Sequence, residues 1–248
     1  MQAVLYVAHG SRLKAGVAEA IEFIEKVKFN VDAPIQEICF LELAEPGISE
    51  GISKCVERGA SHIAIIPILL LTAVHAKKDI PEKIEVGKQI YPHVRFTYGT
   101  TIGVHPKIIE SLYDRIIEKK TALDADAVVL LVGRGSSDPL VKQDLTRIGN
   151  LLKKNYSFQQ VEVSFLYGAS PHVDEALNLL LNSAKKQIFV IPYLLFSGLL
   201  KNGVEKKIKR LSDPNHSIIL CDSIGDHPNI QEVIAERVKE AIETERVG

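Results

Sequence analysis

Short unbroken apolar runs alternate along this chain with longer stretches in which apolar and polar positions follow a helical period. Runs without polar alternation are typical of strands that are buried on both faces, as in a parallel sheet covered by helices. In the first half the pattern predicts strands at 3–8, 35–41, 62–70 and 94–99 and helices at 13–28, 47–58, 77–89 and 106–119. In the second half it predicts strands at 127–132, 161–167, 187–195 and 217–221. This alternation indicates an α/β fold.

The second half of the chain repeats the first. Residues 8–11 (AHGS) match 133–136 (GRGS), and residues 66–70 (IPILL) match 191–195 (IPYLL), an offset of 125 in both cases (133 − 8 and 191 − 66). We therefore predict two similar domains, 1–122 and 123–248, each a four-stranded parallel sheet flanked by helices. Two such domains would leave a cleft between them.

Composition excludes several classes of protein. The chain carries 30 basic and 31 acidic residues, a formal net charge of −1, which argues against a nucleic-acid partner. Its three cysteines are widely spaced without a CxxC pair, as expected for buried thiols in a reducing cytosol. The longest apolar run, 63–71, is too short to span a membrane and contains a proline. No signal-peptide pattern precedes the first strand, so a cytoplasmic location without membrane partner is expected.

Three residues that can bind metals fall at the predicted carboxyl ends of strands in the first half. His9 follows the first strand, Glu42 the second, and His75 lies in the loop after the third. Ligand sites form at this edge of a parallel sheet because the βα loops and helix N-termini collect there. Two imidazoles and a carboxylate suit Fe(II), Co(II), Ni(II) or Zn(II), and they also accept protons near neutral pH. Each histidine taken alone could instead be a structural hydrogen-bonding residue.

The repeat serves as an internal control on these three residues. The aligned positions of the second half carry Arg134, Tyr167 and Leu200, whereas the apolar strand positions persist. Groups needed by the shared fold would be expected in both copies. The sequence therefore predicts one metal site, formed in the first half alone.

Hydroxyl and cationic side chains near the predicted strand ends are candidates for binding an acidic ligand. Such groups hold carboxylates through hydrogen bonds, which are stronger when the donor is charged. The candidates are Ser11, Arg12, Lys77, Lys78, Arg134 and Lys201.

Three segments together resemble the class II tetrapyrrole chelatases, and within them the sirohydrochlorin chelatases of the SirB and CbiX type. They are HGSR at 9–12, FLELAEP at 40–46 and PILLLTAVHAKKDIP at 67–81, and the similarity extends over both halves. Ala8 departs from the glycine expected before the histidine.

The resemblance implies a class II chelatase-like fold and a lyase that inserts Fe(II) into sirohydrochlorin, giving sirohaem and two protons. It implies that His9 and His75 are metal-binding and catalytic histidines and that Glu42 is the active-site glutamate. The metal would be a substrate, no tightly bound cofactor is expected, and the cationic candidates would hold the macrocycle's carboxylates. The chain lacks the histidine-rich tract and cysteine motif of the long cobaltochelatases, which favours iron over cobalt or nickel.

Two alternatives to catalysis stay open at this point. One is a carrier that binds metal or tetrapyrrole without inserting the metal. The other is a two-lobed solute-binding protein, which the missing signal-peptide pattern disfavours. A monomer is expected for the chelatase, since its two domains already form the cleft.

Overall fold

The structure, a computed structural model, describes residues 1–183, 186–196, 198–211, 215–225 and 227–244. The side chains of residues 198, 199 and 201 also lie outside this description, and with them the predicted ligand-binding group of Lys201. Throughout the described ranges, every helix is too short or too polar to cross a membrane.

Strands and helices alternate along the chain, with one π-helical turn at 75–79. The strands are β1 (Gln2–Ala8), β2 (Ile35–Phe40), β3 (His62–Ile68), β4 (Arg95–Tyr98), β5 (Val128–Gly133), β6 (Gln160–Phe165), β7 (Gln187–Tyr193) and β8 (Ser217–Leu220). The helices are α1 (Lys14–Lys28), α2 (Ile48–Glu57), α3 (Ile80–Ile90), α4 (Pro106–Ile117), α5 (Pro139–Tyr156), α6 (Val173–Leu181), α7 (Gly198–Leu211) and α8 (Pro228–Glu243). The π-helical turn, His75–Asp79, is called the π-turn below.

Two parallel sheets of four strands each form the framework, in the orders β2-β1-β3-β4 and β6-β5-β7-β8. All strand pairs are parallel, and each sheet is flanked by helices. The central strands β1 and β3 are almost wholly buried, which explains their continuous apolar runs. The predicted α/β architecture of two four-stranded sheets is confirmed.

The third strand of each sheet is shorter than the apolar pattern predicted. β3 ends at Ile68 rather than at residue 70. The carbonyl groups of Leu69 and Leu70 instead accept hydrogen bonds from the backbone of Ile102 and Gly103, outside the strand ladder. Both leucines are half-buried there, and Leu69 still packs against the core of the first unit.

The chain forms two compact units. The last helix of each half of the sequence belongs to the unit that is formed mainly by the other half. The first unit comprises Met1–Gly103 and the chain from Gln231 onward, so it contains nearly all of α8. The second unit is Val104–Ile230 and contains α4. The predicted division at 122–123 marks the two copies of the repeat, and it stays a prediction about folding domains.

Arginines anchor these two helices in equivalent ways within their units. Arg115 of α4 donates from Nε to the carbonyl of Ser223 (2.8 Å), and Arg237 of α8 donates from Nε to the carbonyl of Thr101 (3.1 Å). Each arginine is also paired with the glutamate three residues later, Glu118 directly after α4 and Glu240 within α8. The repeat thus extends to the contacts that hold its last helix.

Candidate metal centre

The backbone beyond β1 and β2 holds His9 and Glu42 side by side. The N–H of Leu41 donates to the carbonyl of Ala8 (2.8 Å), and the N–H of Glu42 donates to the carbonyl of His9 (3.1 Å). Gly10 follows with φ of +94°, and a Cβ there would lie 1.8 Å from the Glu42 carbonyl oxygen. Only glycine fits this close approach, so the turn fixes the spacing of the two site residues.

The side chains of His9, Glu42 and His75 converge, as the sequence predicted. His9 Nε2 lies 3.6 Å from Glu42 Oε1, and the rings of His9 and His75 meet edge to face with centroids 4.9 Å apart. One ligand atom from each of the three residues lies within 4.8 Å of the others. Bonds of about 2.0–2.2 Å to one divalent ion would draw the three atoms slightly closer, a movement that side-chain rotation can supply.

Both imidazoles have a backbone or carboxylate partner on the Nδ1 side. His9 Nδ1 lies 3.3 Å from the carbonyl oxygen of Gly10, and His75 Nδ1 lies 2.6 Å from Asp79 Oδ2. An acceptor at Nδ1 favours the tautomer that carries its proton there, which leaves a lone pair on Nε2. The two rings are therefore oriented to bind a metal through Nε2.

Asp79 is a site residue that the sequence reasoning missed. It lies four positions after His75 within the segment HAKKD, so a helical spacing of histidine and aspartate was a usable signal. The helix was predicted to begin only at residue 77, however, which placed His75 in a loop. The structure extends helical geometry back to His75 through the π-turn, and the two side chains meet.

Tyr98 of β4 supports the π-turn from the neighbouring strand end. Its hydroxyl donates to the carbonyl of Ala76 at 2.9 Å. Burial raises the pKa of Tyr98 to about 12, so the phenol stays protonated and can donate at neutral pH. A π-turn interrupts the regular helical hydrogen bonding, and a carbonyl there needs an outside partner. Tyr98 thereby stabilises the turn that carries His75.

The second unit repeats this backbone without the metal-binding side chains. Gly135 has φ of +93°, a Cβ there would lie 1.7 Å from the Tyr167 carbonyl oxygen, and the N–H of Tyr167 donates to the carbonyl of Arg134 (2.9 Å). Arg134 and Tyr167 thus take the places of His9 and Glu42, and Leu200 of α7 that of His75. Over the ranges that the structure describes, the first-unit trio is the one group able to hold a metal ion.

The candidate residues for an acidic ligand have different surroundings. The hydroxyl of Ser11 accepts a hydrogen bond from the N–H of Leu13 (3.1 Å), and Ser136 does the same for Asp138 in the second unit (3.1 Å), so both serines close a shared turn. The other described candidates have exposed side chains: Arg12, three residues after His9; Lys77 and Lys78, in the π-turn; and Arg134, in the second unit. Their role in ligand binding stays a prediction.

The cysteines are buried and take no part in the metal centre. Cys39, Cys55 and Cys221 are free thiols. Burial raises the pKa of Cys55 and of Cys221 to about 12, and it also raises the pKa of Cys39. The thiols are therefore protonated near neutral pH, and only the thiolate binds metals well.

Comparison with known families gives the same assignment over nearly the whole chain. The CbiX family model matches residues 3–119 and, a second time, residues 128–241. The chain belongs to the CbiX family. The two matches correspond to the two copies of the repeat, and the resemblance inferred from the three sequence segments is confirmed.

Individual CbiX-family relatives match nearly the whole chain. The sirohydrochlorin ferrochelatase of Priestia megaterium is 48% identical over 239 residues, 96% of this chain and 90% of that protein. The sirohydrochlorin cobaltochelatase of the same organism is 39% identical over 251 residues, 99% of this chain and 81% of that protein. The solved structure of SirB from Bacillus subtilis with Fe3+ has a TM-score of 0.91 and 42% identity, covering 99% of this chain and 97% of that one.

Proposed function

We propose that this CbiX-family chain is a sirohydrochlorin ferrochelatase, a lyase that inserts Fe(II) into sirohydrochlorin. The observation that carries the proposal is the convergence of His9, Glu42 and His75, whose ligand atoms lie within 4.8 Å of one another. The 48% identity to a sirohydrochlorin ferrochelatase supports the choice of substrate. Charge balances in this reaction because Fe²⁺ replaces the two protons of the macrocycle's pyrrole N–H groups.

In this proposal the three side chains first hold the incoming metal and then help to remove the protons. Two imidazoles and one carboxylate bind a divalent ion without the closed thiolate cage of a structural site, so the ion can leave. As the metal moves onto the macrocycle nitrogens, each protein–metal bond that breaks frees a lone pair. Those lone pairs on His9, Glu42 or His75 can accept the displaced pyrrole protons as general bases.

Asp79 has a positioning role in this scheme. Its carboxylate, 2.6 Å from His75 Nδ1, holds the ring with Nε2 directed to the metal and stabilises the imidazolium that forms when Nε2 accepts a proton. Arg12, Lys77 and Lys78 are proposed to bind carboxylates at the rim of the macrocycle. The same role is proposed for Arg134 and Lys201 on the basis of the sequence alone.

Iron is the proposed metal, and cobalt is the second candidate. The chain is 48% identical to a ferrochelatase and 39% identical to a cobaltochelatase, each over nearly its whole length. The donor set itself accepts either ion, since imidazole and carboxylate bind both. Metal and macrocycle are both substrates in this proposal, no resident cofactor is invoked, and the proposed working form is a monomer.

The test is to mix the purified chain with sirohydrochlorin and either anaerobic Fe(II) or Co(II) and to follow the change in absorbance. We expect insertion above the free-solution rate, and a loss of at least about 100-fold in His9→Ala and in His75→Ala, because each removes a general base that is also a metal ligand. His93→Ala, an exposed histidine of the same unit, is the matched control and should keep full activity.

Circular dichroism of each variant would show that the fold is retained. Normal turnover in both His9→Ala and His75→Ala would contradict the assigned site. Binding of metal and sirohydrochlorin without acceleration of insertion would identify the chain as a carrier instead of an enzyme.

A further inference from the structure

Leu43, the residue directly after Glu42, has a backbone conformation that leucine normally avoids. Its φ is +61°, in the left-handed region where Cβ crowds the following carbonyl. Among the described residues, the other two non-glycine residues with positive φ are Lys120 and Ser157, which follow the ends of α4 and α5. Leu43 is therefore the one of these three that sits beside the metal centre rather than at the end of a helix.

The second unit has a glycine at the equivalent position of this turn, and glycine adopts the left-handed conformation without strain. The position equivalent to Leu43 at the offset of 125 (168 − 43) is Gly168, whose φ of +66° nearly equals that of Leu43. A Cβ at Gly168 would lie 3.2 Å from the carbonyl carbon of Ser136, so the second copy leaves little room for a side chain. Glycine suits the shared backbone, and the first unit has a leucine there at a cost in stability.

Packing within the protein does not explain why a leucine occupies this strained position. The residue is 47% exposed. Val74, directly before His75, is 46% exposed and likewise adjoins a metal-binding residue in the chain. We call Leu43 and Val74 the apolar rim. A strained residue that leaves half of its apolar surface in water points to a partner that covers this surface.

We propose that the apolar rim contacts the conjugated face of the tetrapyrrole and holds it over the metal centre. This inference rests on the proposed function. The metal must enter a macrocycle through its face, so the residues next to the metal ligands meet the conjugated rings around the central nitrogens and not the charged edge. The exposed cations Arg12, Lys77 and Lys78 are then left to meet the carboxylates at that edge.

Leu43→Gly tests the rim, because it matches the second copy and removes the backbone strain. We expect its affinity for metal-free sirohydrochlorin, measured by absorption titration, to fall about fivefold, which corresponds to burying roughly half of a leucine side chain. Its affinity for Co(II) alone should not change, because the metal-binding side chains are intact. Phe29→Ala is the control: Phe29 is an 89% exposed apolar residue at the far end of α1, and its loss should alter neither affinity.

Two further substitutions separate apolar contact from backbone geometry. Leu43→Asn relieves the strain but is polar, since asparagine tolerates the left-handed region, and it should weaken sirohydrochlorin binding. Leu43→Met keeps both the apolar character and the strain, and it should retain the affinity of the unaltered chain.

The possible results are distinguishable. Unchanged sirohydrochlorin affinity in Leu43→Gly, in a preparation whose unaltered chain inserts metal, would overturn the rim and leave the proposed function standing. An equal loss of Co(II) affinity in Leu43→Gly would also overturn it, because Leu43 would then act on the metal ligands. An unaltered chain that neither binds sirohydrochlorin nor inserts metal would overturn both proposals.

Discussion

At the scale of single residues, the orientation of the His75 imidazole depends on the side chain of Asp79. The 2.6 Å contact from His75 Nδ1 to the Asp79 carboxylate fixes the ring and its tautomer. His9 Nδ1 lies 3.3 Å from the carbonyl oxygen of Gly10, a longer contact to an uncharged acceptor. Of these two Nδ1 contacts, the one at His75 is the shorter, and its acceptor is a carboxylate.

Asp79→Asn should weaken metal binding while leaving every proposed metal ligand in place. We expect the affinity for Co(II) to fall about 10- to 100-fold, the usual effect of removing the partner that orients a metal-binding histidine. Titration by visible absorption measures the affinity, and ¹⁵N NMR of the imidazoles reports the tautomer of His75. Glu82→Gln, at an exposed acid in the first turn of α3, is the control. An Asp79→Asn affinity within about twofold of the unaltered chain would contradict the positioning role.

At the scale of elements, the π-turn brings His75 to His9 and Glu42, the other proposed metal ligands. The sequence predicted a helix at 77–89, and the structure shows the π-turn followed by α3, Ile80–Ile90. The helical period of the apolar positions was correct for α3. The π-turn could not be predicted, because the carbonyl of Ala76 is satisfied by Tyr98 from another strand.

Tyr98→Phe should loosen the π-turn. The loss of the hydrogen bond to Ala76 is expected to lower the free energy of unfolding by about 1 kcal/mol, as measured by urea titration. It should also weaken Co(II) binding, because His75 is then less well placed.

Tyr91→Phe is the matched control for this change. It removes a hydrogen bond to Ser53 (3.2 Å) elsewhere in the same unit. We expect a similar loss of stability without a loss of Co(II) affinity. If both variants bound Co(II) equally well, Tyr98 would have no part in positioning His75.

At the scale of the whole molecule, the two copies of the sequence repeat do not coincide with the two compact units. One helix of each copy belongs to the other unit. The copies of the repeat divide near residue 122, but α4 belongs to the second unit and nearly all of α8 to the first. Arg115 and Arg237 each bind a carbonyl within the unit that contains their helix. The local pattern predicts a helix at 106–119, close to α4, yet it holds no information on which unit the helix belongs to.

Two fragments would show which division describes the folding domains. The fragment 104–230 retains α4 and the bond from Arg115 to Ser223, whereas 123–248 has α8 without the Thr101 carbonyl that Arg237 binds. We expect 104–230 to unfold cooperatively and to be the more stable of the two, by urea titration followed with circular dichroism. The opposite ranking would support the division at 122–123.

Sequence patterns alone predicted the two-sheet α/β architecture, the repeat and the convergence of His9, Glu42 and His75 at one sheet edge. These follow from local patterns, because buried strands have continuous apolar runs and the carboxyl ends of parallel strands meet at one edge. The π-turn, through which His75 reaches Asp79, and the placement of the last helices became visible only in the folded molecule. Each of these depends on contacts between residues far apart in the chain, such as Tyr98 with Ala76 or Arg237 with Thr101, and such contacts leave no periodic trace in the sequence.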